Sequence, residues 1–354
     1  MNKKTIFILL VVLAVLAGVG RSILMRNSEA PVGSDAMGAL LFEALPANEV
    51  ASIVIERPGD SVVLVKSETG WVVENRFGYP ADFSKITDLI RKMKQTKVGR
   101  KFAATEPISK RLSLIPPNHR ESAETEKGTR LRMKDKNNAV VVDVLFGKTR
   151  KREEKGIPDS QFVMAVGGLD IYLVDQIFSS FETAAPSWLK KSPVTVAKDD
   201  IQKISCTGPD GTLRYTFERP EKGKDFALVS SPAKRAIKQS ALNRLAGALT
   251  GLEIEDVADP SSTPESLSKG ISPRLDYTLF DGITYHVYPG LTCSPGIPCY
   301  LRLQVDFKKG DEALIAKARE MNDRLTPWFF VIPERQHQAF FTTLGGMLED
   351  EKKK

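Results

Sequence analysis

At 354 residues the chain exceeds what one hydrophobic core usually organises, so two domains of roughly 150 residues each are expected. Its 42% hydrophobic and 27% charged content is that of a folded body and excludes a disordered chain. The net charge is +7, yet 44 acidic side chains are interspersed among 51 basic ones and no aromatic residues interleave with the basic ones, which argues against nucleic acid as a partner.

In chain order, Lys3-Lys4 precede an apolar run from Thr5 to Gly20, a basic region followed by a membrane-seeking segment. The run is shorter than the roughly 20 residues of a spanning helix. Ile23-Leu24-Met25 extend it if Arg21 snorkels to the interface. Val19 stands where a lipoprotein box would carry its cysteine, and no A-x-A cleavage site follows. Residues 1–25 therefore read as a membrane anchor, with a cleaved signal as the alternative. Basic residues flank both ends (Lys3, Lys4, Arg21, Arg26), so charge orients the segment only weakly. The expected location is the inner membrane, single-pass, with the body on the extracytoplasmic side. Residues 26–40, polar with Pro and Gly, read as a linker.

The folded part starts near Leu41-Phe42. Val50 to Ile55 alternate as a strand, Pro58-Gly59-Asp60 supplies hairpin turn chemistry, and Val62 to Lys66 and Trp71-Val72-Val73 form two further strands. Asp82 is a candidate N-cap, and Phe83, Ile86, Leu89, Ile90 and Met93 give one apolar helix face, with Arg91, Lys92, Lys94 and Lys97 on or beyond the other side.

The same order recurs later. Val50, Ile53 and Pro58 match Ile201, Ile204 and Pro209 at an offset of 151 (201 − 50). Trp71 matches Phe226, and Ile86, Leu89, Ile90 and Met93 match Leu242, Leu245, Ala246 and Leu249 at an offset of 156 (242 − 86). Leu114 and Pro116 match Ile271 and Pro273. Each copy continues through hairpins, the second with Asp281-Gly282 at its turn, and each is expected to end in a helical segment, Gln176 to Ala185 and Glu334 to Leu348. The expected fold class is α+β: two tandem related units, each a hairpin-rich, mainly antiparallel sheet with one main packed helix. The units span residues 41–190 and 191–348, followed by a charged tail, residues 349–354.

Of three cysteines, Cys293 and Cys299 bracket a short loop where export would allow a disulfide, and Cys206 takes the strand position of Ile55 as a small buried apolar residue.

Several stretches together resemble the bacterial domain-of-unknown-function 4340 family: the anchor, Leu41-Phe42 through Leu45-Pro46 and Glu49-Val50 to Ile53 and Ile55, Gly70-Trp71, Pro80-Ala81-Asp82, Val144-Leu145-Phe146-Gly147 and Ile171-Tyr172-Leu173-Val174. The resemblance covers most of residues 41–190, with the second copy as a divergent extension. It implies a membrane-anchored, exported protein that accompanies gliding-type ABC transporter components and their auxiliary subunit. It carries no catalytic residues to transfer.

Motifs for chemistry are sparse. Gly147-Lys148-Thr149 echoes the end of a phosphate loop, but Val142 stands where the first glycine is needed, so an ordinary strand exit is expected. His119, His286 and His337 are far apart and lack metal spacing, so neither a metal nor a cofactor is expected. One contrast remains. The first helix exits into basic residues (Lys94, Lys97, Arg100, Lys101), the second into acidic ones (Glu253, Glu255, Asp256, Asp259). These are either two solvated faces or patches through which the copies, or two molecules, meet.

The functional expectation is a non-catalytic accessory or interaction subunit of an ABC-type transport system in the cell envelope. The alternative is a glycan- or peptide-binding module whose aromatic cleft uses Tyr285, Tyr288 and Trp328, and an enzyme is the third reading.

Overall fold

The computed structural model describes residues 37–151, 158–178, 181–229, 236–267, 272–307 and 311–349. The apolar run 5–20, the linker as far as residue 36, Ile271 and the tail from residue 350 lie outside them. The chain divides into two compact units, Met1–Trp188 and Leu189–Lys354.

The first unit holds β1 (Val50–Arg57), β2 (Asp60–Ser67), β3 (Gly70–Val73), β4 (Tyr79–Pro80), α1 (Phe83–Gln95), β5 (Val98–Ala103), α2 (Glu106–Arg111), β6 (Thr129–Asp135), β7 (Val140–Lys151), β8 (Pro158–Ala165) and β9 (Asp170–Val174). Its sheet runs β4-β3-β2-β1-β6-β7-β8-β9-β5, with neighbours antiparallel. Period-2 alternation sends Ile53 and its register partners Leu64 and Met133 to one face, where all three are buried. The Asp82 side chain caps α1 by accepting from the Ser84 N–H at 3.0 Å, and Ile86, Leu89 and Met93 form its buried stripe. Burying each such side chain stabilises the fold by about 1.5–3 kcal/mol. A smaller cluster of Leu114, Leu145, Met164 and Ile171 gathers Ile108 and Leu112 from α2 and the segment after it.

The second unit holds β10 (Ile201–Thr207), β11 (Leu213–Glu218), β12 (Ala227–Leu228), α3 (Gln239–Thr250), β13 (Asp256–Ala258), β14 (Arg274–Leu279), β15 (Ile283–Pro289), β16 (Cys299–Phe307), α4 (Glu312–Leu325), β17 (Phe329–Ile332), α5 (Glu334–Phe340) and α6 (Leu344–Met347). Its sheet order is β12-β11-β10-β14-β15-β16-β17-β13. Substituting each strand by its counterpart reproduces the first sheet, and only β4 lacks an equivalent among the described residues. Even the register irregularity recurs, between Val50 and Ser52 on β1 and between Ile201 and Lys203 on β10. The α+β class with two related antiparallel sheets is therefore as expected.

Two local expectations are corrected. Gln176 to Ala185 is not a helix: its described residues are bends and coil, ending in a 3₁₀ turn at Ala185–Trp188. There Phe178 and Phe181 pack on Phe146, with ring centroids 4.6 and 5.0 Å away, and the Gln161 amide, not a helical carbonyl, accepts the Phe178 N–H. Glu334 to Leu348 is two short helices instead of one. The second unit also has a helix with no forerunner in the first. α4 occupies the β16–β17 connection, where β8 and β9 are joined by a tight turn at Gly167, whose φ is +77°. Asp311 caps α4, and Asn322 accepts the Val305 N–H to tie it to β16.

Candidate interaction site

The most exposed apolar side chain of α1 is its first. Phe83 was expected in the packed face with Ile86, Leu89 and Met93, but it is 60% exposed. The chain reaches it directly from its cap Asp82, so it overhangs the stripe. Beside it, Trp71 stands on β3 in register with Lys66 on β2, on the same face as α1's wall. Phe83, Ile90 and Trp71 line a groove of about 680 Å³ between α1 and strands β1–β3. Its charged lining is Lys66, Arg91 and Lys94, with no carboxylate among the lining residues. Asp88 lies one helical turn from Arg91 and pairs with it at 2.8 Å, an exposed contact of little energetic weight.

Lys92 departs from the expectation that it faces away. Its Nζ donates to the Ile177 carbonyl and lies 5.0 Å from the Phe178 ring centre. Burial holds its ammonium below the ordinary lysine range.

The basic and acidic patch residues fall at equivalent places, on or just beside the edge strands β5 and β13. Lys101 pairs with Asp170 at 3.1 Å, the Lys97 N–H donates to Asp175 at 2.8 Å, and Arg100 is exposed on β5. Glu253 and Glu255 precede β13, where their N–H groups donate to Gln336 Oε1 and the Val331 carbonyl, and Asp256 begins the strand.

In the second unit, Cys293 and Cys299 are joined as a disulfide with their Cα atoms 4.6 Å apart. Cys206 is half-buried, against the expectation of a buried residue, because it walls a groove of about 470 Å³ with Arg214, Tyr215 and Phe340. Burial pushes its thiol up from the ordinary value, which disfavours the thiolate a nucleophile needs. The aromatic trio does not converge. Tyr285 is a core residue at 1% exposure, while Tyr288 is half-buried on the opposite face of the same strand. Strand parity alone separates residues three apart, a signal the sequence carried. Tyr277 and Tyr285 occupy the register positions of Met133 and Val142, which explains why they are inside.

The histidines sit singly. His119 contacts Ser122 at 3.1 Å, His286 contacts Asp276 at 2.5 Å, and buried His337 meets the Gly290 carbonyl at 2.6 Å. Among the described residues, no three His, Cys, Asp or Glu side chains gather as a metal site would require. Gly147 also has a structural explanation. It lies within β7, and a Cβ there would sit 2.3 Å from the Leu112 carbonyl oxygen. The glycine permits close backbone approach in the interior of a strand, not at a strand exit.

A family model described as "Domain of unknown function (DUF4340)" matches residues 71–269, more than half of the chain. The chain belongs to the DUF4340 family. The match begins at Trp71, inside the first unit, and runs into the second as far as residue 269. No curated protein and no solved structure matches this DUF4340 chain. Among the described residues, no helix is long and apolar enough to cross a membrane.

Proposed function

We propose that this DUF4340 protein is an exported, membrane-anchored envelope protein that acts as a non-catalytic interaction subunit of an ABC-type transport system. The observation that carries the reading is the disulfide between Cys293 and Cys299, because such bonds persist in oxidising compartments outside the cytoplasm. It agrees with the basic-then-apolar run at residues 3–20 and with the envelope setting implied by the family resemblance. The rest of the geometry suits presentation. The two sheets share one strand order, while the segments leaving the main helices carry opposite charge, basic at Lys97, Arg100 and Lys101 and acidic at Glu253, Glu255 and Asp256. Anchoring raises the local concentration of these surfaces near a membrane-borne partner.

The test is extraction and capture of the full chain from membranes. It should resist high-salt and alkaline washing, show no free thiol at Cys293 or Cys299 before reduction, and co-purify with a transporter component in mild detergent. Recovery in the soluble fraction with reduced cysteines, or capture without any transporter component, would count against it.

A further inference from the structure

We propose that the groove between α1 and strands β1–β3 seats the first unit on an anionic lipid surface. This rests on reading residues 1–25 as an anchor, and adds a second contact between the same chain and the same bilayer.

The first support is where the described chain begins. Met37 is 80% exposed, and the Gly38 N–H donates to the Val98 carbonyl at 2.8 Å. The Leu41 N–H donates to the Thr96 carbonyl at 2.9 Å. The chain thus enters the unit beside the residues that follow α1, and Lys94, Gln95, Ala47 and Asn48 at this end all line the groove. Ten residues, 27–36, separate Arg26 from Met37. Even fully extended they reach about 40 Å, so an anchored chain keeps this end of the unit close to the bilayer.

The second support is chemical. Phe83 and Trp71 are aromatic walls, and Lys66, Arg91 and Lys94 are the only charged lining groups. Aromatic rings sit at the headgroup level, and cations beside them are drawn to an anionic surface. Lysine stems lie along apolar surface while their ammonium groups reach phosphates.

The third support is internal to the molecule, because the duplicated unit serves as a control. At the matching offset of 156 (239 − 83), Phe83 becomes Gln239, Arg91 becomes Gly247 and Lys94 becomes Thr250. Trp71 corresponds to Phe226, which is buried with the Arg219 guanidinium 4.5 Å from its ring centre. The packing positions Ile86, Leu89 and Met93 stay apolar as Leu242, Leu245 and Leu249. The second unit thus keeps the helix and buries its aromatic–cation pair, Phe226 with Arg219, and it lacks the exposed Phe83, Arg91 and Lys94 of the first. The feature belongs to the unit that the apolar segment precedes.

The experiment places the full chain in vesicles whose phosphatidylcholine carries brominated acyl chains, with or without 30% phosphatidylglycerol. Flotation reports anchoring, and tryptophan quenching reports depth. With the anionic lipid, emission should be quenched, and most of the quenched part should vanish in Trp71→Phe. Removing the anionic lipid, raising salt to 0.5 M, or the exposed double change Lys66→Glu with Lys94→Glu should each reduce that part at least threefold. A chain that floats while Trp71 stays unquenched on anionic vesicles overturns the docking and leaves the anchor standing. The same result with a crosslinker at position 83 capturing a protein in native membranes assigns the groove to a protein partner instead. A chain that does not float at all removes both readings.

Discussion

Asp276 Oδ1 lies 2.5 Å from His286 Nδ1 across β14 and β15, at the register where β6 and β7 place Arg132 and Asp143. Both units thus keep a polar pair at this cross-strand position, with different partners. In each unit an arginine joins the pair: Arg274 Nε lies 2.9 Å from Asp276 Oδ1 in the second, and two arginines meet Asp143 in the first. Arg130 donates to both Asp143 oxygens at 2.7 and 2.6 Å, and Arg132 approaches at 3.4 Å. Asp143 in turn raises the Arg130 guanidinium above its ordinary value.

Asp143→Asn should therefore cost more than Asp276→Asn, because it weakens a two-pronged Arg130 fork and a second arginine contact, whereas Asp276 meets one arginine, Arg274, through Nε alone, besides His286. The expected losses are about 2 and about 1 kcal/mol. Urea unfolding of the two variants checks the order. Equal losses would mean that the fork contributes nothing beyond what His286 and Arg274 give Asp276.

Gly147→Ala should destabilise the first unit by about 2 kcal/mol or more, since the added Cβ meets the Leu112 carbonyl oxygen at 2.3 Å and the Leu114 side chain at 2.9 Å. Gly247→Ala on α3, where a Cβ meets nothing within 4 Å, should be neutral or stabilising. Thermal unfolding of the pair separates close approach from a general glycine effect.

Lys92→Ala removes both the donation to the Ile177 carbonyl and the stem packed near Phe178. A loss of about 1–2 kcal/mol is expected, and Lys92→Met should recover part of it by restoring the stem. Denaturant midpoints measure both, and no difference between them would assign the whole effect to charge.

His337 supplies a pH dependence of stability. Burial lowers its pKa in the folded state, with the Gly290 carbonyl partly opposing the shift. Between that lowered value and the unfolded value near 6.5, the unfolded chain binds a proton that the folded one does not. Its contribution is therefore complete above about pH 6.5 and is lost as pH falls through that range. His337→Gln can still donate to Gly290 without titrating. Its melting temperature should fall less than that of the wild type between pH 7.5 and 5.5.

The duplication was legible because the residues that carry it answer to local rules. Strand alternation at Ile53 and Ile204, the hairpin at Asp281-Gly282 and the stripe Ile86, Leu89, Met93 each depend on a period of 2 or 3.6 and on turn chemistry. α4 was also readable from its Asp311 cap and the alanine-rich run after it, but the first unit holds no counterpart to prompt the comparison. The groove was half legible. Lys66, Trp71 and Phe83 were visible as residue types, but their meeting depends on how α1 crosses the sheet.

By itself, then, the sequence determined the fold class, the tandem plan and the membership in DUF4340, since packing faces repeat at fixed spacing wherever they occur. Tertiary structure alone decided which members of an apolar face are covered. Periodicity places Phe83 and Ile86 on one side of a helix, but it cannot say where the sheet beneath them ends. Likewise, the need for glycine at position 147 comes from Leu112, thirty-five residues earlier (147 − 112), brought against it by folding. A residue's role at such positions depends on the distance to another part of the chain, and no local pattern encodes that distance.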